Sequence, residues 1–360
     1  MVPAQPATSQ HDAVADMLVN VAALAQFVVE ASGKDVDILV SGEQGLSGFP
    51  FSKREEVLPY TQTVPDNGTN LCTSTSSPDL SVAVMHNVSC LARYAGMVLV
   101  VGAADMVPCA GTVGCPPSGF WVFNTQVVFD SDGAAVSKYH KTHLFVSESQ
   151  FFDTPPTPEL KTFSVFGTTF GQAICFDIFF QSPLAHLAQQ GVTNFVFSTW
   201  WENNGTVPLL SAADMQAGVS RAMSANFLAA NTGASGFMSS GSGVYSSGDP
   251  LAFTYNMNAT SRSVLLVADV ADSPPRPQLT PPMGVSATSP HRLGATEPQF
   301  TAEVVQAGRP TTLRAQSGNV SCSASLTTSG GPPSTWAAYA NGGHWFGGLL
   351  HPRVCMLVYC

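Results

Sequence analysis

The chain has 360 residues, 44% apolar and 11% charged, enough for one large core or two unequal domains. Its formal net charge of -10 disfavours nucleic acid and anionic membrane surfaces as partners. No uninterrupted apolar run reaches the roughly 20 residues of a membrane span, and the N-terminus shows neither a basic stretch nor a signal-like apolar run.

Val14, Met17, Leu18, Val21, Leu24, Ala25 and Val28 recur at three- and four-residue spacing, which predicts a helix over 11–32. A short strand follows at 36–40 and a second helix at 79–94. Val-rich 97–103 and alternating 120–130 predict strands, with Asp130-Ser131-Asp132-Gly133 as a hairpin turn into 135–139. Strands at 162–166 and 169–174 form the next pair. A short helix is expected at 183–190, with Pro183 suited to its first turn. Then come a strand at 194–199, a helix at 211–223, a strand at 226–230 and a last core strand at 264–270. Interleaved helices, strands and hairpins predict a mixed α/β sandwich over 1–270. Pro and Ser dominate 271–298, which reads as a linker. The stretch 299–360 is Gly-rich and β-leaning.

Eight cysteines and five Asn-x-Ser/Thr sequons, at Asn67, Asn87, Asn204, Asn258 and Asn319, point to an oxidising compartment. Cys109 and Cys115 flank a Gly-rich loop, and Cys72 and Cys90 flank a Ser/Thr-rich loop and a helix. Both pairs are expected to be disulfides, with Cys322 joined to Cys355 or Cys360.

Three residues stand where apolar, strand-like segments stop: Glu43, Lys141 and Cys175. Strand ends are where a rigid sheet presents groups to a shared pocket. Cysteine attacks as thiolate, and a neighbouring cation such as Lys141 favours that form. Lys141 would also stabilise an oxyanion, with the Phe176 backbone N–H as second donor. Glu43 would shuttle the proton from thiol to leaving amine. His140 and His143 lack further ligands at zinc spacing and are expected to brace the lysine loop. Trp200 and Trp201, after a strand end, are candidate substrate-pocket walls.

The order Glu43, Lys141, Cys175 resembles the triad of the nitrilase (carbon–nitrogen hydrolase) superfamily. Within it, Phe123–Asp130, Tyr139-His140-Lys141, Glu148-Ser149-Gln150-Phe151, Cys175-Phe176-Asp177-Ile178, Asn226-Phe227-Leu228-Ala229 and Gly241–Tyr245 resemble the vanin/biotinidase branch. The resemblance implies a nitrilase-type α-β-β-α sandwich over 1–270 and a short β-rich remnant of the branch's C-terminal base domain over 299–360. It gives Glu148, seven residues beyond Lys141, the role of orienting the lysine. It implies hydrolysis of a linear amide, pantetheine first and biotin amides second, with no cofactor and no metal. It also implies a secreted glycoprotein, monomeric by preference, held to a membrane only through an anchor outside this chain. An intracellular ω-amidase-like enzyme and an inactive scaffold of the same fold are the alternatives. Three departures stand out. No opening strand precedes the first helix, Gly42 replaces the usual proline before the glutamate, and base-domain sequence is expected beyond Cys360, so a shortened gene product is expected.

Overall fold

The computed structural model describes residues 6–48, 51–75, 77–203, 211–233, 239–256, 263–275, 300–317, 320–329, 333–342 and 353–359. Asn204, Asn258, Asn319, Cys360 and most of the expected linker lie outside them. The chain divides into two compact units, Met1–Gln278 and Leu279–Cys360.

The first unit opens with α1 (Gln10–Ser32), whose N-cap Ser9 accepts the Asp12 N–H. Ala13, Val14, Met17, Val21, Val28 and Ala31 form its buried stripe. By length and composition α1 is long and apolar enough to cross a membrane, although Asp16, Asn20 and Gln26 interrupt its apolar run. Its polar residues are tied into this unit: Asp16 accepts the Tyr60 hydroxyl, and Asn20 donates to the Leu46 carbonyl.

Five strands make the first sheet: β1 (Ile38–Val40), β2 (Thr61–Gln62), β3 (Val98–Pro108), β4 (Phe120–Phe129) and β5 (Ala135–His140). Their order is β1-β3-β4-β5, with β2 also on β3. The β4–β5 turn forms as expected, with Asp130 Oδ1 accepting the N–H of Asp132 and of Ala134. A four-residue helix, α2 (Arg54–Val57), precedes β2. The next helix, α3 (Ala83–Ala95), starts four residues later than the spacing predicts. Asp79 Oδ1 instead accepts the Ser81 N–H and hydroxyl, which closes a local turn in place of a first helical turn.

The second sheet contains β6 (Thr162–Val165), β7 (Thr168–Ile174), β8 (Asn194–Thr199), β9 (Asn226–Asn231), β10 (Ser242–Ser246) and β11 (Asp249–Thr254), paired in sequence order. The helices α4 (His186–Gln189) and α5 (Ala212–Met223) accompany it.

Strand alternation assigns each side chain to a layer. Leu99 and Val101 of β3 join α1 and α3 in one core, through Met17, Val84 and Met85. Their neighbours Val98 and Val100 face the other way and meet Phe163, Phe170 and Val196 of the second sheet. Phe195, Phe197 and Phe227 pack with Leu187 and Ala212 on the outer face of that sheet. The result is the α-β-β-α sandwich.

Segment 264–270 corrects the sequence reading. It is not a strand: none of the described residues pairs with it, and Val264 and Val267 are 59% and 39% exposed. Only Leu265 packs against the first core. Apolar alternation there has no ladder partner to realise it.

The second unit contains β12 (Phe300–Val305), β13 (Thr311–Ser317), β14 (Val320–Leu326), β15 (Ser334–Gly342) and β16 (Arg353–Tyr359). They form two antiparallel sheets, β12-β15-β16 and β13-β14, around Leu313, Ala315, Val320, Cys322, Ala338 and Ala340. Cys322 is disulfide-bonded. In the first unit, disulfides join Cys72 to Cys90 and Cys109 to Cys115.

Candidate active site

The ends of β1, β5, β7, β8 and β9 converge on one place. Past β1, Ser41 still donates to the Val100 carbonyl, and Glu43 N–H donates to the Thr199 carbonyl at the end of β8. This turn is crowded. A Cβ on Gly42 would lie 2.3 Å from Thr232 Oγ1 and 2.6 Å from its nitrogen. The hydroxyl of Thr232 donates to the Glu43 carbonyl at 2.7 Å. Glycine precedes the glutamate here because a larger residue would displace the segment that holds it.

Lys141 follows β5, and its N–H donates to the Asn124 carbonyl of β4 at 2.8 Å. Its ammonium is 1% exposed and lies 2.7 Å from Glu43 Oε1 and 2.5 Å from Glu148 Oε2. Glu148 begins a tight turn and is folded back by accepting the Phe145 N–H at 2.7 Å. Asn124 closes the group, donating its amide to Glu43 Oε1 at 2.7 Å and to Glu148 Oε1 at 2.8 Å. The other oxygen of Glu43 accepts the Trp200 N–H at 2.7 Å.

Cys175 directly follows β7 in a left-handed conformation, φ 43°, a strained placement of the kind that gathers at functional sites. Its thiol donates to the Trp200 carbonyl at 3.8 Å. The elbow is held by Asp177, which is fully buried. Asp177 accepts from the Ile174 N–H, the Tyr139 hydroxyl, and the His143 N–H and Nδ1. One carboxylate thus ties the cysteine turn to the lysine loop.

Electrostatics decide the resting protonation. Burial raises the Cys175 thiol, the Glu43 charge raises it further, and the opposing pull of Lys141 is smaller. The thiol therefore rests protonated and needs a base at the moment of attack. Burial alone would lower Lys141, but the Glu148 and Glu43 carboxylates outweigh it and hold the ammonium well above the usual lysine range. Burial, together with the Glu43 charge, raises Glu148 against the pull of Lys141.

Phe176 is buried in an aromatic cluster with Phe145, Phe179 and Phe180, centroids 5.4 to 5.5 Å apart. Trp200 supplies backbone groups to the site. The Trp201 ring lies in the outer core, stacked on Phe179 at 5.5 Å. Asn67 and Asn87 are exposed, although the Asn87 amide donates to the Ala83 carbonyl within α3. Among the described residues no cluster of three His, Cys, Asp or Glu could hold a metal. Sequence reasoning did not single out Asn124 or Asp177. Their only sequence signal is that they fall within the family-like segments Phe123–Asp130 and Cys175-Phe176-Asp177-Ile178.

His140 sits between Asp105 and Glu159, 3.2 and 3.0 Å away, with Lys138 on the far side of Asp105. Burial lowers its pKa, but the hydrogen bonds and charges of the two carboxylates outweigh burial and raise it above the ordinary value. A group raised on folding stabilises fully below its unfolded value, about 6.5 for His, and this contribution is lost as pH rises through the folded value. His140→Gln is therefore expected to lose most stability below about pH 6.5 and to approach wild type on further alkalisation. Thermal unfolding from pH 5 to pH 9 reads this out. A deficit that does not vary with pH would show that folding leaves the proton affinity of the imidazole unchanged.

A buried Glu-Lys-Glu group beside a cysteine at a strand end, in an α-β-β-α sandwich, defines the nitrilase class of architecture. The carbon–nitrogen hydrolase family profile matches residues 5–240, and the chain belongs to that family. It is 37% identical to a pantetheinase from Bos taurus over 77% of this chain and 53% of that protein. It is 38% identical to a biotinidase from Takifugu rubripes over 63% of this chain and 44% of that one. The chain spans about half the length of the curated relatives it matches. Among solved structures, an amidase from Nesterenkonia sp. shares the fold with a TM-score of 0.52 at 19% identity, covering 75% of this chain and 88% of that one.

Proposed function

We propose that this chain hydrolyses a linear secondary amide through a Cys175 thioester, with pantetheine as substrate and pantothenate and cysteamine as products. The observation that carries the reading is the buried cluster of Glu43, Lys141, Glu148 and Asn124 at the strand ends where Cys175 sits in a strained conformation. Cys175 Sγ attacks the amide carbonyl while Glu43 takes the thiol proton. Lys141 and the Phe176 N–H stabilise the oxyanion, and Glu148 orients Lys141. The amine leaves with the proton from Glu43. Glu43 then deprotonates water, which attacks the thioester, releases the acid and returns the proton to sulfur.

The cluster of Phe145, Phe176 and Phe179 is the apolar surface assigned to the acyl chain, with the Trp200 side chain as a further candidate wall, whereas the Trp201 ring belongs to the outer core. Pantetheine is favoured because several relatives are named pantetheinase. Biotin amides are the second reading, supported by the relatives named biotinidase. The disulfides Cys72–Cys90 and Cys109–Cys115 and the exposed Asn67 sequon favour an extracellular, glycosylated protein. The test is kcat/KM of the purified protein for pantetheine and biocytin side by side. A clear preference for pantetheine is expected. Preference for biocytin would overturn the substrate and keep the mechanism, and release of amine from neither would favour an inactive scaffold.

A further inference from the structure

Glu43 and Glu148 form an unusual pair. Two buried carboxylates face each other across a single ammonium. Like charges this close favour sharing a proton, because removing the second one puts two negative charges into a low-dielectric site. A base that must accept the thiol proton works only while it is unprotonated. One cation for two anions leaves that condition unguarded.

The structure shows a second bridge. The amide nitrogen of Asn124 donates to Oε1 of both glutamates, and Asn124 is fully buried in β4. Lys141 bridges the same carboxylates from its own side, at Glu43 Oε1 and Glu148 Oε2. The amide adds two donors without adding charge. Its own oxygen is buried with no hydrogen-bond partner. Turning the amide over would aim that oxygen at both carboxylates, so the carboxylates set its orientation. The main chain of the same residue accepts the Lys141 N–H, which places both bridges on one strand position.

We propose that Asn124 is a positioning residue of this site: its amide holds Glu43 and Glu148 as an ionised, fixed pair against Lys141, so that Glu43 is free to take the proton of Cys175. The inference rests on the amide-hydrolase reading for its consequence in turnover, and on the geometry for its consequence in charge. The titratable groups acting on one another here are Glu43, Glu148, Lys141 and Cys175. Without the amide, the carboxylate pair binds its next proton at higher pH.

Asn124→Ala and Asn124→Ser test this on the purified chain, with circular dichroism and thermal unfolding as controls for folding. Two pH profiles are measured: kcat/KM for pantetheine, and the rate of Cys175 alkylation by iodoacetamide, which needs no turnover. Asn124→Ala is expected to lower kcat about 10²-fold with KM little changed. The acid limb of both profiles should move up by about one pH unit. Asn124→Ser, with one hydroxyl donor, should fall between alanine and wild type in both. A folded alanine variant whose acid limbs stay at the wild-type pH would overturn the proposal, whatever its kcat. If wild type turns over no amide while the alkylation limb still moves in the variants, the positioning role stands and the substrate reading fails. If Asn124→Ala does not fold, the serine variant carries the test by the same criterion.

Discussion

Replacing Cys175 with alanine is expected to abolish amide hydrolysis and to leave the fold in place. The thiol is buried, 8% exposed beside Tyr139 and Ile174. The stability cost is nevertheless expected to stay near 1 kcal/mol, because only one small group is removed. Alanine keeps a Cβ at φ 43°, so the backbone strain is shared by both proteins. Glu43→Gln keeps the shape of the base and loses its ability to take a proton. It should cost nearly as much activity as Cys175→Ala, and the double variant little more, because the groups act as one unit. Mass spectrometry of wild type after rapid quench with substrate should show an acyl adduct on the peptide containing Cys175, absent from Cys175→Ala. Undiminished turnover in a folded Cys175→Ala protein would remove the nucleophile assignment altogether.

The parts of this molecule that were legible in the sequence are those governed by local period. The stripe of α1 follows from the spacing of Val and Met, whereas β4 forms as a strand but is buried at every position from Val122 to Phe129 rather than at alternate ones. The three strand-end residues were legible because each interrupts an apolar run. What was illegible depends on partners distant in sequence. Segment 264–270 has the composition of a strand but no ladder. Asp177 and Asn124 look like ordinary turn and strand polar residues until strands more than thirty residues apart bring them to His143 and Glu43. A lysine nearby suggested a thiolate, whereas burial and the Glu43 charge dominate. Burial is a property of the assembled layers, and no motif carries it.

Lys141→Met tests the same balance from its other side and is expected to have the second-largest effect. Methionine matches the length of the stem and removes the charge. Glu43 and Glu148 are then left facing each other, with Asn124 as the donor they share among the described residues. Breaking a buried ion group by removing one partner costs about 3–5 kcal/mol, because the remaining charge is uncompensated. The sign of the pH dependence follows from which state binds more protons. With the ammonium gone, the folded carboxylate pair has a higher proton affinity than unfolded glutamate, so its folded form is favoured by acid. Stability of Lys141→Met should therefore rise as pH falls from 8 towards 5, where wild type, with its ammonium in place, gains less. Differential scanning calorimetry across that range measures it. Turnover should be lost at every pH, since acid repairs the charge balance without restoring the oxyanion donor. A Lys141→Met protein as stable as wild type at pH 8 would mean that the two glutamates already share a proton when Lys141 is present, and would transfer the role of base away from an ionised Glu43.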